Sequence, residues 1–492
     1  MSRMTLKDLF AEIPVLFMSG NDRAEIQGLA YSSKDVRPGF LFAALKGEKA
    51  DGNEFVPDAL ARGAAAVLSE RPRPPQLDTN WVHVYDAREC LALCAANYYG
   101  HPSDRLKVVG VTGTKGKTTV TYIMESIVQK AGGVPAVMGT ISYRGPGISA
   151  EAGRTTPEAP DLQRCLRTFL DRGATHGLLE VSSHALELKR VWGIAFDVAV
   201  FTNLSGEHMD YHHSMEDYFE AKKKLFFLDH EKNTAVVNMD DAWGQKLLAE
   251  LPMRTVSFGF EPAAIVRAAK AVFREDGIRA VIEYPGGKIQ AESKLVGRHN
   301  LYNILASAAA ALSLNIPVKA VEEGIAGLAG VPGRFEPVPN ALGLQIIVDY
   351  AHTDNALKNL LECVRDMKPQ RIILVFGCGG NRDTTKRERM GEVAGRLADW
   401  TVITSDNSRQ EDPLAIIAAI ESGFVKAGSK AYAVQPDRRA AIREALAQAR
   451  KGDYILIAGK GHETTQIFKD GPPVPFDDVA VVREILGEKG AS

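Results

Sequence analysis

Short hydrophobic runs separated by amphipathic stretches of helical length recur through most of the chain. This rhythm predicts strands alternating with helices, the pattern of a mostly parallel sheet covered on its faces. The clearest instance is a strand over 108–111 that runs into a glycine-rich turn, followed by a helix over 117–130 that ends at Gly132-Gly133. Further strands are predicted at 136–138, 177–181 and 196–201. Runs at 255–258, 278–283 and 288–295 read as antiparallel strands appended to that sheet, and helices at 300–314 and 318–328 follow. Val331-Pro332-Gly333-Arg334 reads as a domain joint. Beyond it the rhythm restarts, with strands at 344–348, 371–376, 401–404, 432–434 and 454–458. Ahead of residue 105, the runs 41–45 and 64–68 are short strands or helix ends, bounded by turn signals at Arg37-Pro38-Gly39 and Asp51-Gly52-Asn53. The expected class is α/β in three domains. Residues 1–104 form a small α/β unit, 105–332 a doubly wound, mostly parallel sheet, and 333–492 a Rossmann-like unit.

Composition adds bounds. Of 492 residues 45% are hydrophobic and 24% charged, as in ordinary globular proteins. Lys and Arg total 59 against 61 Asp and Glu, which gives no footprint for nucleic acid or a membrane surface. The apolar run 13–18 lies beside Asp8 and Glu12 and makes a poor signal peptide, and no run reaches the roughly 18 apolar residues of a membrane span. The five cysteines form no Cys-x-x-Cys pair and no metal spacing; Cys90 and Cys94 share a helix face and read as a buried apolar pair. A monomer in the reducing cytoplasm, acting on small molecules, is expected.

The turn after the strand at 108–111 carries the first chemistry. Gly113-Thr114-Lys115-Gly116-Lys117-Thr118-Thr119 is a phosphate loop. Its glycines let backbone N–H groups approach phosphates, the helix N-terminus adds its positive end, Lys117 adds a charge, and the Thr118 hydroxyl can ligate magnesium. Only two residues separate Gly113 from Gly116, a variant of the general spacing. Motors, switches, kinases and ligases all use such loops, so this one implies ATP without naming a reaction.

Glu180 stands at the C-terminal end of a predicted parallel strand, where it can hold magnesium or simply pair with a neighbour. The segment 201–212, with Asn203, Glu207, His208, Asp210 and His212, is dense in potential ligands and again follows a strand; any one of its histidines could also be an ordinary surface residue. On the helix predicted over 214–228, Tyr218, Ala221, Leu225, Phe226 and Leu228 spread over one apolar arc with Lys222 near its centre. Two readings are open for Lys222. Desolvation would leave a neutral amine able to form a carbamate with carbon dioxide, or the side chain snorkels to solvent.

The phosphate loop, Thr155-Thr156-Pro157, Glu180-Val-Ser-Ser-His184, Asn203-Leu204, His208-Met-Asp-Tyr-His212 and Tyr218-Phe-Glu-Ala-Lys222 together resemble the Mur ligases of bacterial cell-wall synthesis. The likeness runs from about Gly28 to the C-terminus. It implies an ATP-dependent amide ligase of peptidoglycan precursor synthesis, working through an acyl phosphate. Its substrates would be UDP-N-acetylmuramoyl-L-alanyl-D-glutamate and meso-diaminopimelate. By the same resemblance Glu180 and His208 are magnesium ligands together with Thr118, and Lys222 is carbamylated. Ser33, Thr155, Thr156, Ser182 and Arg190 would hold the UDP substrate, and Asn300, Arg334, Asp349 and His352 would complete the ATP site. The segments 377–387, Asp406-Asn407-Ser408-Arg409 and Gly459-Lys-Gly-His-Glu463 would bind the amino acid.

Diaminopimelate carries a carboxylate beside its distal ammonium. Arg409 and Arg387 offer guanidinium forks for carboxylates, and Glu463 can pair with an ammonium. The chain departs from the common pattern at Lys115 (usually Asn), Ser408 (usually Pro), Asn381 (usually Asp) and Ser32-Ser33-Lys34 (usually Asp-Ser-Arg). Two other functions compete: a lysine-adding or other Mur-type ligase, and a phosphate-loop switch or motor. The second gives no role to the His208–His212 segment or to Arg387 and Arg409.

Overall fold

In the computed structural model of the chain, residues 4–47, 50–209, 211–228, 233–274 and 276–487 are described, and the candidate Asp210 lies outside them. Among these residues a central sheet of eleven strands dominates. Its parallel ladder runs in the order Pro135–Met138, His176–Glu180, Lys107–Thr112, Val198–Phe201, Thr234–Asn238, Thr255–Gly259 and Val266–Arg274. Antiparallel hairpins extend both edges, Ser142–Gly145 with Ile148–Glu151 on one side and Gly277–Tyr284 with Gly287–Ser293 on the other.

Burial on both faces explains the near-continuous apolar strands. Val109 and Val111 pack with Ile123 and Ile127 of the helix Lys117–Lys130 and with Ile304 of the helix Arg298–Ser313. Val108 points to the opposite layer, with Leu166, Phe196 and Phe226. Lys107–Thr112 lies between His176–Glu180 and Val198–Phe201, and the next strand in the chain, Pro135–Met138, lies beyond His176–Glu180. The strand order therefore reverses here, and the crevice outside the C-terminal strand ends is where such sheets take ligands.

A second sheet runs Glu336–Pro337, Gln345–Asp349, Tyr454–Ala458, Ile372–Phe376, Trp400–Ile403 and Tyr432–Val434, parallel except for its first, short edge. A third, near the N-terminus, runs Phe17–Ser19, Asn80–His83, Ala66–Ser69, Phe40–Ala43 and Gly28–Ala30. The runs expected at 41–45 and 64–68 are thus strands. Cys90 and Cys94 are buried free thiols on the helix Ala87–Tyr99, as an apolar pair would be.

Two expectations need correction. Thr255–Gly259 is not antiparallel; it joins the parallel ladder, because Val266–Arg274, which the sequence reading passed over, pairs beside it and only then turns back. Val266–Arg274 is half exposed and broken by charges, so it lacks the apolar run that marked the other strands. The helix expected over 214–228 is an α-helix only over Met215–Lys223 and tightens into a 3-10 turn over Lys224–Phe227. Within that turn Leu225 and Phe226 are buried while Lys224 reaches out to Glu187 at 2.7 Å.

The C-terminal unit contains one fully buried ion pair: Arg438 donates to Asp478 through Nε at 2.8 Å and Nη2 at 2.7 Å. Neither side chain is exposed. Removing one partner leaves a buried, uncompensated charge. Arg438→Met is expected to destabilise this unit by about 3–5 kcal/mol, and Arg438→Met with Asp478→Leu to recover most of that. Denaturant unfolding monitored by intrinsic fluorescence gives the comparison; a double variant as unstable as the single one would refute this account.

Candidate active site

The phosphate loop connects Lys107–Thr112 to the helix Lys117–Lys130 in the manner the sequence implied. Gly113 and Gly116 adopt positive φ of 141° and 91°. A Cβ on Gly113 would lie 2.0 Å from the Thr202 Oγ1, and one on Gly116 would lie 2.4 Å from Asn303 Oδ1. Both positions therefore require glycine on conformational and steric grounds. The loop is pinned by the residues after the neighbouring strand. Thr202 Oγ1 donates to the Lys115 carbonyl at 2.6 Å, Asn203 Oδ1 accepts from the Lys115 N–H at 3.0 Å, and Thr114 N–H donates to the Asn203 carbonyl at 2.8 Å.

Three lysines crowd this loop. Lys117 folds back so that Nζ donates to the carbonyls of Gly113 at 2.8 Å and Thr114 at 3.0 Å. Lys222 arrives from the helix Met215–Lys223, only 1% exposed, and donates to the same Gly113 carbonyl at 3.0 Å while lying 4.4 Å from the Tyr218 ring. Snorkelling is thereby excluded. Burial, and then the Lys117 charge, push the Lys222 amine well below the ordinary lysine range. Burial likewise lowers Lys117. Lys115 pairs with Glu207 at 2.9 Å. Burial opposes ionisation of Glu207, but Lys115 and His352 outweigh it and hold its carboxyl below the usual range.

Glu180, at the end of the adjacent strand, accepts from Thr118 Oγ1 at 3.0 Å, Thr140 Oγ1 at 2.9 Å and the Thr140 N–H at 2.9 Å. His208 has a positive φ of 60° and stacks edge-on against His184, with ring centroids 5.0 Å apart. Although the residue is partly exposed at the cleft, the protein packed around its ring, partly offset by Glu207, shifts its pKa down to about 4, the direction that favours a neutral imidazole.

The second sheet closes the cleft from the other side. Asp349 holds the turn after its strand by accepting from the N–H groups of Phe335 at 2.7 Å and Ala351 at 2.8 Å. Arg334 lies 4.6 Å over the Tyr350 ring, and its Nε is buried without a hydrogen-bond partner among the described residues. Asn300 donates to the Val296 carbonyl at 2.9 Å and accepts from Asn303 at 3.0 Å. The loop residues Thr114–Thr119, Glu180, Ser182, His208, Asn300, Arg334, Asp349 and His352 all line one cleft of about 320 Å³.

A neighbouring cavity of about 590 Å³ shares Thr155, Glu207, His208, Tyr350 and His352 with that cleft and reaches Asp406, Asn407, Arg409, Gly459 and Glu463. Arg409 donates from Nη1 to the Gly380 carbonyl at 2.9 Å, and Glu463 Oε2 accepts from Asn407 Nδ2 at 2.8 Å. Ser408 is buried. Arg387 lies outside this lining; its guanidinium is buried and paired with Glu411 at 2.9 Å. Arg382, Lys386 and Arg389 line the cavity instead.

Thr156 Oγ1 donates to the Glu180 carbonyl at 2.8 Å and accepts from the Ser182 N–H at 3.1 Å. Arg190 donates to the Thr156 carbonyl at 3.2 Å and pairs with Glu158 at 2.8 Å. Ser33 lies apart from both cavities, on the N-terminal unit, with its hydroxyl engaged by Asp58. Its loop still touches the central unit, because Tyr31 donates to Asp161 at 2.7 Å.

The sequence reading missed Thr140, Asn303 and His299 as parts of the cleft. Asn303 carried a signal: it stands one helical turn after Asn300, on the same face. Thr140 is placed only by the pairing of Pro135–Met138 with His176–Glu180, which no local pattern announces.

A phosphate loop on a parallel sheet, faced across a cleft by a Rossmann-like unit, defines an α/β nucleotide-type site. The chain belongs to the Mur ligase family: residues 25–99 match its catalytic-domain description, 111–311 the Mur ligase middle domain, and 333–461 the glutamate ligase domain. It is 46% identical to the UDP-N-acetylmuramoyl-L-alanyl-D-glutamate–2,6-diaminopimelate ligase of Solibacter usitatus over 466 residues, covering 94% of each chain. A solved structure of a ligase with that same name superposes with a TM-score of 0.71 at 31% identity over 99% of both chains. The MurF ligase of Thermotoga maritima in complex with ADP shares the fold, with a TM-score of 0.61 at 23% identity over 94% of this chain and 97% of that one.

The cleft-lining imidazole of His208 yields a direct check. With carbon-13-labelled histidine, and His208→Gln to assign the signal, its resonance is expected to titrate with a midpoint near 4. A midpoint near the unperturbed value of about 6.5 would show that the ring is solvated.

Proposed function

We propose that this chain joins meso-diaminopimelate to UDP-N-acetylmuramoyl-L-alanyl-D-glutamate, using ATP. The observation that carries the reading is the adjacency of the two cavities: the phosphate-loop cleft and the cavity lined by Asp406, Asn407 and Arg409 share Thr155, Glu207, His208, Tyr350 and His352 in their walls. On this reading a phosphoryl donor, a carboxylate and an amine meet at that boundary. Residues 1–104, 105–332 and 333–492 are assigned to the UDP-sugar, ATP and amino-acid functions respectively.

The substrate's D-glutamate carboxylate attacks the γ-phosphorus of ATP, giving an acyl phosphate and ADP. The amino group of diaminopimelate then attacks the acyl carbon and phosphate leaves, forming the amide. Backbone N–H groups of the loop and the ammonium of Lys117 cradle the phosphates, and Lys115 can exchange Glu207 for phosphate oxygen. By the family resemblance Thr155, Thr156, Ser182 and Arg190 would hold the peptide end of the acceptor, with Ser33 serving its nucleotide end; of these, Thr155 and Ser182 line the phosphate-loop cleft.

Among the described residues no cluster of three His, Cys, Asp or Glu side chains forms a ready metal site, so the magnesium reading rests on Thr118 and Glu180 with His208 lining the same cleft. Thr118 and Glu180 supply hard oxygen ligands 3.0 Å apart, and His208 a neutral imidazole. Carbamylation of Lys222 would add a second anion, and the low-pKa, buried amine is the form that reacts with carbon dioxide. When bound, magnesium would offset charge on the phosphoryl group. In the amino-acid cavity Arg409 can take the distal carboxylate, which lysine lacks, and Glu463 the distal ammonium.

Phosphate release measured with ATP, magnesium and the UDP-dipeptide separates the alternatives. It is expected to require an amino acid and to favour diaminopimelate over lysine. Release independent of any amine would sink the ligase reading in favour of a switch or motor, and a preference for lysine would sink the role of Arg409. Lys222→Ala is expected to lose at least about a hundredfold in rate, as when a transition-state charge stabiliser is removed, and to regain part of it with short-chain carboxylates. Full activity in Lys222→Ala would rule out the carbamate.

A further inference from the structure

The amino-acid cavity rests on a cation that no substrate can touch. Lys460 follows Gly459 at the end of the strand Tyr454–Ala458, and its side chain is 0% exposed. Its Nζ lies 3.2 Å from Glu463 Oε2, 3.5 Å from Asn407 Oδ1 and 3.8 Å from Asp406 Oδ1, and it donates to the Thr465 carbonyl. Its side-chain partners are thus Asp406, Asn407 and Glu463, all lining the cavity that the preceding section assigns to the amino acid. Of the other buried cations in this unit, Arg387 is matched by Glu411 and Arg438 by Asp478.

We infer that Lys460 is a positioning residue for the amino-acid substrate, fixing Glu463 and Asn407 in the orientation that receives its distal ammonium. The inference rests on the diaminopimelate reading and deepens it. The Lys460 and Asn407 contacts to Glu463 both fall on Oε2. With that oxygen tied inward, the carboxylate rotation is set and its other oxygen is left for the cavity. The charges point the same way. Asp406 and Glu463 bring two negative charges to one wall, and Lys460 cancels one of them from behind. The wall then carries about the single negative charge that one substrate ammonium matches. Without Lys460, Asp406 and Glu463 would repel each other in a partly buried site, and Asn407, which also accepts from the Ile467 N–H at 2.9 Å, would lose one of the contacts that fix its amide.

Because Lys460 is sealed off, its loss should act on amino-acid binding alone. In the full-length protein, Lys460→Met is expected to raise the KM for diaminopimelate on the order of tenfold or more. The KM values for ATP and the UDP-dipeptide, and kcat at saturation, should hold within about twofold, as expected for sites that do not share partners. Lys460→Arg should restore part of the loss. In a Glu463→Gln background, Lys460→Met should add little, since both changes remove one interaction. An unchanged KM for diaminopimelate, or the same penalty in both backgrounds, overturns the proposal. If Lys460→Met does not fold, Lys460→Gln, which keeps hydrogen-bonding capacity without charge, is read by the same criteria; failure of both to fold would overturn a positioning role in favour of a structural one. Wild-type protein that does not use diaminopimelate would instead sink the parent reading.

Discussion

Two lysine nitrogens share one carbonyl oxygen at the centre of this molecule. Lys117 and Lys222 both donate to Gly113, and Lys115 stands beside them. Glu180 and Glu207 are the nearby carboxylates, and Glu207 is already engaged by Lys115. Like charges in a desolvated loop are costly, so the site is poised for added negative charge. Phosphates would meet that need on Lys117 and Lys115. A carbamate would meet it at Lys222 by turning a neutral amine into an anion. The same crowding that lowers the amine pKa thus supplies the neutral amine that reacts with carbon dioxide.

Such crowding survives only on a rigid frame. The parallel strands Lys107–Thr112, His176–Glu180 and Val198–Phe201 end together, with Glu180 in register with Val111 and Phe201 with Thr112. Each strand delivers one part of the site: the loop, the Glu180 carboxylate, and the Thr202-Asn203 pair that pins the loop. Apolar layers on both faces fix these ends. The opposite wall is tied to the joint by short backbone contacts: Tyr350 N–H donates to the Gly333 carbonyl, and a Cβ on Gly333 would meet the His462 nitrogen at 2.2 Å. Arg334 is carried in on that joint and Tyr350 lines both cavities, so their shared wall is set by one turn.

Legibility in the sequence followed locality. The phosphate loop, its strand and its helix are contiguous, and their spacing alone identified them. Lys222 was visible as an anomaly on an apolar arc, but helix geometry could not say whether it escapes to solvent; only the Gly113 carbonyl beneath it decides. Contacts made by distant segments were invisible. Thr140 reaches Glu180 because two strands pair across forty residues, and Glu207 finds Lys115 only after the loop closes. Arg387 is a further case in which the partner comes from a distant segment. A basic residue in a motif looked like a cavity ligand, yet a helical position faces it toward Glu411.

Ser408 is the departure that bore on the amino-acid pocket, and the geometry around it narrows what it can change. Arg409 is cradled by other residues: its N–H donates to the Ile467 carbonyl at 3.0 Å, and its guanidinium to that of Gly380. Its positive φ of 51° is held by those contacts. The hydroxyl of Ser408 is buried with no hydrogen-bond partner among the described residues, so it adds no polar contact that a proline ring would lack. Proline at this position would stiffen the turn by fixing φ, whereas serine leaves that task to Ile467 and Gly380. The cost of the replacement is therefore conformational entropy in the unfolded chain and one unsatisfied hydroxyl, while the direction of the Arg409 fork is set elsewhere.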